Sequence, residues 1–144
     1  MKKLLIFGYG NPGRGDDAIG PLFVEHISRW NREDISYLSD MQLLVEHVTD
    51  LHAHNEVIVV DADMACVEPF EFLPIVAFKD EGCTSHTLTP AGLLYVYQQV
   101  YQCDSPTTFL LRIRGYNFSL GDVLSEKAAC NLNAAVQFIT QRYL

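Results

Sequence analysis

Basic residues are scarce in this 144-residue chain: ten Lys and Arg stand against 18 Asp and Glu, a formal net charge of −8. Nucleic acids and anionic membranes are bound through clustered cations, so this balance argues against both as partners. Long apolar runs are also missing. The run Leu4–Phe7 behind Lys2 and Lys3 falls short of the roughly 7–15 residues of a signal-peptide core. No stretch nears the roughly 18 apolar residues of a membrane span. A cytoplasmic location is therefore expected. The cysteines, Cys66, Cys83, Cys103 and Cys130, form no C-x-x-C pair. That argues against a zinc knuckle and leaves free, buried thiols as the expectation. No Ser-His-Asp or Cys-His signature is present, which argues against a nucleophilic side-chain mechanism. Repeats, low-complexity tracts and linkers are absent as well.

What is present suits one domain spanning residues 1–144. Hydrophobic residues make up 49% of the chain, enough for one sizeable core. Strand and helix signals alternate. Strands are expected over Lys3–Phe7, Ile35–Leu38, Val57–Val60, Phe70–Phe78 and Thr107–Ile113. The β-branched run Val57-Ile58-Val59-Val60 reads as a central strand. Pro69 and Pro74 push Phe70–Phe78 towards an edge. Helices are expected over Ala18–Trp30 and Gln42–Leu51, then from Pro90, and from about Val123 to the C-terminus. Thr89-Pro90 reads as an N-cap followed by proline at the first helical position. Leu93, Leu94, Tyr97, Val100 and Tyr101 make the apolar face of the helix it starts. Leu124, Ala128, Leu132, Ala135, Val136 and Ile139 face inward from the last. The alternation predicts an α/β fold: a three-layer sandwich with a mostly parallel twisted sheet and helices on both faces.

In such folds, sites gather beyond the carboxyl ends of the strands. Between the first strand and the first helix lies Gly8-Tyr9-Gly10-Asn11-Pro12-Gly13-Arg14-Gly15-Asp16-Asp17-Ala18-Ile19-Gly20. A glycine-rich turn brings backbone close to a ligand. Here it carries two adjacent carboxylates where a phosphate binder would want none, which points to a metal or another cation. Asp17 follows the first strand, Asp61 ends the central one, and His86 lies in Thr84-Ser85-His86-Thr87 before the Pro90 helix. Two carboxylates and an imidazole form an N/O ligand set for a divalent first-row metal, and three ligands leave positions open for water or substrate. Singly, each has a plainer role: Asp17 as a helix cap, Asp61 as a turn residue, His86 as a loop histidine. The other histidines, His26, His47, His52 and His54, read as surface or partly buried side chains.

Taken together, these motifs resemble the maturation proteases of nickel-iron hydrogenases. The resemblance rests on Gly8-Tyr9-Gly10-Asn11, Asp16-Asp17-Ala18-Ile19-Gly20, Val57-Ile58-Val59-Val60-Asp61-Ala62 and Thr84-Ser85-His86-Thr87-Leu88, in that order, over nearly the whole chain. It implies a phosphorylase/hydrolase-like α/β fold. It also implies an endopeptidase, of aspartyl type, that removes a C-terminal peptide from the nickel-loaded large-subunit precursor. Asp17, Asp61 and His86 would be the catalytic, metal-contacting residues. The nickel would come with the precursor, no organic cofactor would be needed, and the chain would act as a monomer. The chain departs from the pattern at Met64, where many members have a second Asp, and at Val67-Glu68-Pro69-Phe70, where they have a Pro-Gly turn.

Three alternatives compete. Gly8-x-Gly10-x-x-Gly13 fits a dinucleotide-binding fingerprint with Asp40 as the ribose acid, but Asp16 and Asp17 would crowd a pyrophosphate with negative charge. Gly8-Tyr9-Gly10-Asn11-Pro12-Gly13 also resembles the opening turn of peptidyl-tRNA hydrolase. That enzyme's His-Asn pair and basic surface are missing. A non-catalytic module that recognises a metal-loaded partner is the third.

Overall fold

A computed structural model describes residues 2–81 and 88–143. Strands β1 (Lys2–Tyr9), β2 (Ile35–Asp40), β3 (His54–Asp63), β4 (Phe70–Ile75) and β5 (Thr107–Arg114) form one five-stranded sheet in the order β2-β1-β3-β5-β4. β1, β2, β3 and β5 run parallel, and β4 lies antiparallel at the edge. The helices are α1 (Ile19–Ser28), α2 (Val48–His52), α3 (Pro90–Tyr101) and α4 (Glu126–Tyr143).

Strand alternation sorts the core into two halves. Leu4, Ile6, Ile58, Val60, Leu111 and Ile113 face α1 and α4. Leu5, Phe7, Val57, Val59 and Leu110 face α2 and α3. Successive strand residues point to opposite sides, so a strand buried on both faces must be apolar throughout. That is why Val57–Val60 reads as an unbroken run. β1 sits between β2 and β3. The chain leaves β1 over one face through α1 and returns to β3 over the other through α2. The carboxyl ends of β1 and β3 therefore open on the switch point where doubly wound sheets place their ligands.

Several boundaries differ from those expected. The second helix shrinks to a 3₁₀ turn at Val45–His47 followed by α2. Leu43 is buried and its carbonyl accepts the Leu88 N–H instead of a helical amide, and Leu44 after it is extended. β4 stops at Ile75 because its partner Thr108 is the second residue of β5; Val76 and Phe78 beyond it are exposed. α3 starts as expected, with Thr89 Oγ1 accepting the Gly92 N–H at 3.0 Å. Its Val100, expected inward, is exposed at the edge of the apolar stripe in the last turn. α4 begins at Glu126, after Ser125, leaving Val123 exposed. Among the cysteines, Cys66 is buried as expected but Cys103 and Cys130 are exposed. Cys83 lies outside the described residues.

Candidate active site

The glycine turn is built for close approach. A Cβ on Gly8 would run into the Gly20 carbonyl, so β1 and α1 touch backbone to backbone. Gly10 has φ of 148°, and a Cβ there would collide with the Asp17 carbonyl. Only glycine meets both demands. The turn's amides are already engaged. Gly10 N–H goes to the Asp40 carbonyl, Asn11 to Asp17 Oδ2, Gly13 to Asn11 Oδ1 and Arg14 to the Asn11 carbonyl. Gly15 goes to Asp122, Asp16 to Asn117 and Asp17 to Arg14. A phosphate needs such donors free. The dinucleotide alternative fails on this point.

The two adjacent carboxylates have different work. Asp16 is fully buried. Its Oδ2 accepts from Tyr116 N–H, Asn117 N–H and Ser125 Oγ–H at 2.8, 3.1 and 2.8 Å, and its Oδ1 from Ser125 N–H at 2.8 Å. Burial alone would raise its pKa. The hydrogen bonds from Ser125, Tyr116 and Asn117 outweigh burial and hold the carboxyl below the ordinary range. Ser125 Oγ also accepts the Ala128 N–H, so Asp16 ties the start of α4 to the turn. This explains why α4 starts after Ser125. Asp17 lies in the same 3₁₀ turn, Gly15–Ala18. It caps no helix: neither that turn nor α1 has a side-chain cap bond, and Asp17 Oδ2 instead accepts the Asn11 N–H at 2.8 Å.

Asp61 is not a strand-end residue. β3 continues to Asp63, pairing Asp61 with Arg112 of β5. Asp61 sits beside Tyr9 at the end of β1, and the Tyr9 phenol donates to its carboxylate. Burial drives the Asp61 carboxyl up to about 7. Tyr9 opposes that rise, and the charges of Asp63 and Asp17 add to it. Burial, then the nearby Asp61 charge, also raises the Tyr9 phenol far above its ordinary value, so it remains a donor. Asp17 is near enough for its charge to add to that rise, and both carboxylates lie at the carboxyl ends of β1 and β3. Arg112 Nε lies 3.6 Å from Asp63 Oδ2. Beneath them, the Cys66 thiol approaches the Asp63 and Arg112 carbonyls, and burial pushes it up to about 11. A thiol held protonated is a poor nucleophile.

His86 lies outside the described residues. Among the described residues, no group of three His, Cys, Asp or Glu side chains is placed to hold a metal. Asp17 and Asp61 offer two hard oxygen donors, which suit a divalent ion needing one or more further ligands. Two other histidines are more buried than expected. His47 Nδ1 accepts the Leu44 N–H, so Nε2 carries the proton and donates to Asp40 Oδ2 at 3.1 Å. His54 Nδ1 bonds the Asp50 carbonyl at 2.7 Å. Both are structural, the former bracing the end of β2 beside the turn. Sequence reasoning missed Tyr9 and the separate task of Asp16. Period-two alternation along β1 and β3 was the available signal for Tyr9, since it puts Tyr9 and Asp61 on one face of the sheet.

A groove of about 510 Å³ opens next to the turn, lined by Pro12, Ala18, Pro21, Leu22 and Val123 with Glu25 and Asp122. Among the described residues, no helix is long and apolar enough to cross a membrane.

No protein-family model and no curated protein matches the sequence. Solved structures do match. The NiFe hydrogenase maturation protease HycI from Thermococcus kodakarensis KOD1 superposes with a TM-score of 0.74 at 22% identity, covering 97% of this chain and 91% of that one. A hydrogenase 2 maturation peptidase from a Thaumarchaeota archaeon gives 0.72 at 21%, covering 98% and 97%. The hydrogenase maturating endopeptidase HybD from E. coli gives 0.72 at 18%, covering 95% and 89%. The α/β sandwich described above is thus the fold of the hydrogenase maturation proteases, matched over nearly the full length of both chains.

Proposed function

We propose that this chain is an endopeptidase that removes a C-terminal peptide from the nickel-loaded large-subunit precursor of a nickel-iron hydrogenase. What supports it is an acidic site at the β1–β3 switch point, where the Asp17 charge reaches Asp61, within the fold of proteins named for that activity. The nickel arrives with the precursor as part of the substrate, and no organic cofactor takes part. Asp17, Asp61 and His86 are the residues we assign to it. A divalent ion beside a scissile carbonyl can polarise that bond or bring a bound water's pKa close to neutrality. The protein's task is to hold carboxylate oxygens at fixed positions and to seat the peptide. The groove lined by Ala18 and Val123 lies beside the glycine turn and gives room for an apolar side chain. We place the protein in the cytoplasm, acting as a monomer on the precursor, with no nucleic-acid or membrane partner.

The test is processing itself. Purified protein is incubated with nickel-loaded and nickel-free precursor, and the products are weighed by mass spectrometry. Release of one C-terminal peptide from the loaded precursor alone is expected. An intact loaded precursor, bound but uncut, would instead identify a non-catalytic recognition module.

A further inference from the structure

We propose that Tyr9 is a positioning residue for Asp61: its phenol ties one carboxylate oxygen and leaves the other to meet a cation. This rests on the assignment of Asp61 to the nickel-bearing substrate. The geometry begins in the sheet. β1 and β3 are parallel neighbours with Gly8 opposite Val60, so the next pair along is Tyr9 and Asp61. Leu5 and Phe7 of β1 share one face with Val57 and Val59 of β3, and Tyr9 packs against that same cluster. By alternation Asp61 follows Val57 and Val59 onto it. The ring is thus anchored in the core while its hydroxyl reaches the acid.

A carboxylate turns easily about its terminal torsion, which has broad, roughly two-fold wells. Something must stop that rotation if one oxygen is to stay available. Arg112, opposite Asp61 on the other side, has its Nε directed to Asp63 at 3.6 Å. Among the described residues, Tyr9 supplies the side-chain hydrogen bond to Asp61. A phenol has one proton to give, so it engages one oxygen and not both. Carboxylates that meet metals are commonly held in this way by a second hydrogen bond, and losing such a partner lowers metal affinity about 10–100-fold. The opposing account makes Tyr9 a packing residue whose hydroxyl is incidental.

Tyr9→Phe separates the two, because it keeps the ring and removes the hydroxyl. Nickel chloride is titrated calorimetrically into the wild type, Tyr9→Phe and Asp61→Asn, and each melting temperature is recorded. We expect Tyr9→Phe to melt close to the wild type yet bind nickel roughly 10–100-fold more weakly, with Asp61→Asn weaker still. Equal nickel affinity in Tyr9→Phe and wild type overturns the proposal. So does a wild type that takes up no nickel. An unfolded Tyr9→Phe also overturns it, by making the hydroxyl a requirement of the fold. A wild type whose nickel affinity depends on Asp61 and on the Tyr9 hydroxyl but that cuts no precursor sinks the protease assignment and leaves this one standing. A wild type that cuts the precursor while Tyr9→Phe binds nickel equally well sinks this one alone.

Discussion

Replacing Asp16 with asparagine should destabilise the protein far more than the same change at its neighbour. Asp16 accepts four hydrogen bonds with no solvent exposure, three of them from backbone N–H groups. An asparagine has one acceptor oxygen. Set at the Oδ2 position, that oxygen keeps Tyr116, Asn117 and the Ser125 hydroxyl, but the amide NH2 then faces the Ser125 N–H across 2.8 Å. One buried donor left unpaired costs about 1–3 kcal/mol, and the kept bonds lose their charge assistance; relief of the buried charge offsets part of this, for a net loss of about 3 kcal/mol. For a chain of this size that corresponds to a fall in Tm of roughly 10 °C. Asp17→Asn, by contrast, need only turn its oxygen to the Asn11 N–H, so it should cost below about 1 kcal/mol. Thermal melts followed by circular dichroism at neutral pH decide the matter. The Asp16 carboxyl lies below its ordinary value of 3.8, so the unfolded chain takes up the proton first as pH falls. Its contribution is therefore complete above that value and lost as pH drops through the folded one, and the wild type's advantage over Asp16→Asn should shrink in acid. An Asp16→Asn variant melting within about 2 °C of wild type would refute the keystone role.

Asp61→Asn should show the opposite sign. Its folded carboxyl titrates near 7 against 3.8 unfolded, so the folded state holds the proton more tightly and stability falls as pH rises between those values. The asparagine variant should match or exceed the wild type's Tm at pH 8, with the gap closing towards pH 4; a variant less stable than wild type at pH 8 contradicts the burial account. Asp17→Asn and His86→Ala should stay folded and lose processing of the nickel-loaded precursor. Normal processing by Asp17→Asn would remove Asp17 from the site. Gly10→Ala should suffer about 1–3 kcal/mol of backbone strain, besides the collision with the Asp17 carbonyl, and process slowly. Wild-type stability and rate in that variant would show the turn to be a plain connector.

Much of the fold can be read from local chemistry. Val57–Val60 had to be a doubly buried strand because nothing in it tolerates water. Thr89-Pro90 had to open a helix because threonine accepts the free amide and proline needs none. The order of Gly10, Asp17 and Asp61 points to the sheet's carboxyl edge, where β1 and β3 end. What depended on distant partners stayed hidden. The second helix lost its first residues to the Leu88–Leu43 hydrogen bond. α4 lost its own to the tie between Ser125 and Asp16, 109 residues apart. Asp16 and Asp17 are the same residue type side by side, and only the packing of the Tyr116–Ser125 segment over the turn makes one a buried fastening while the other accepts a single turn amide. Likewise Tyr9 is an ordinary strand aromatic until the parallel register of β1 and β3 sets it beside Asp61. Periodicity and capping act over a few residues and are written in the sequence. Register and long-range hydrogen bonds join segments that meet only when the sheet closes, so the tertiary structure alone decides which carboxylate is buried, which is held, and by what.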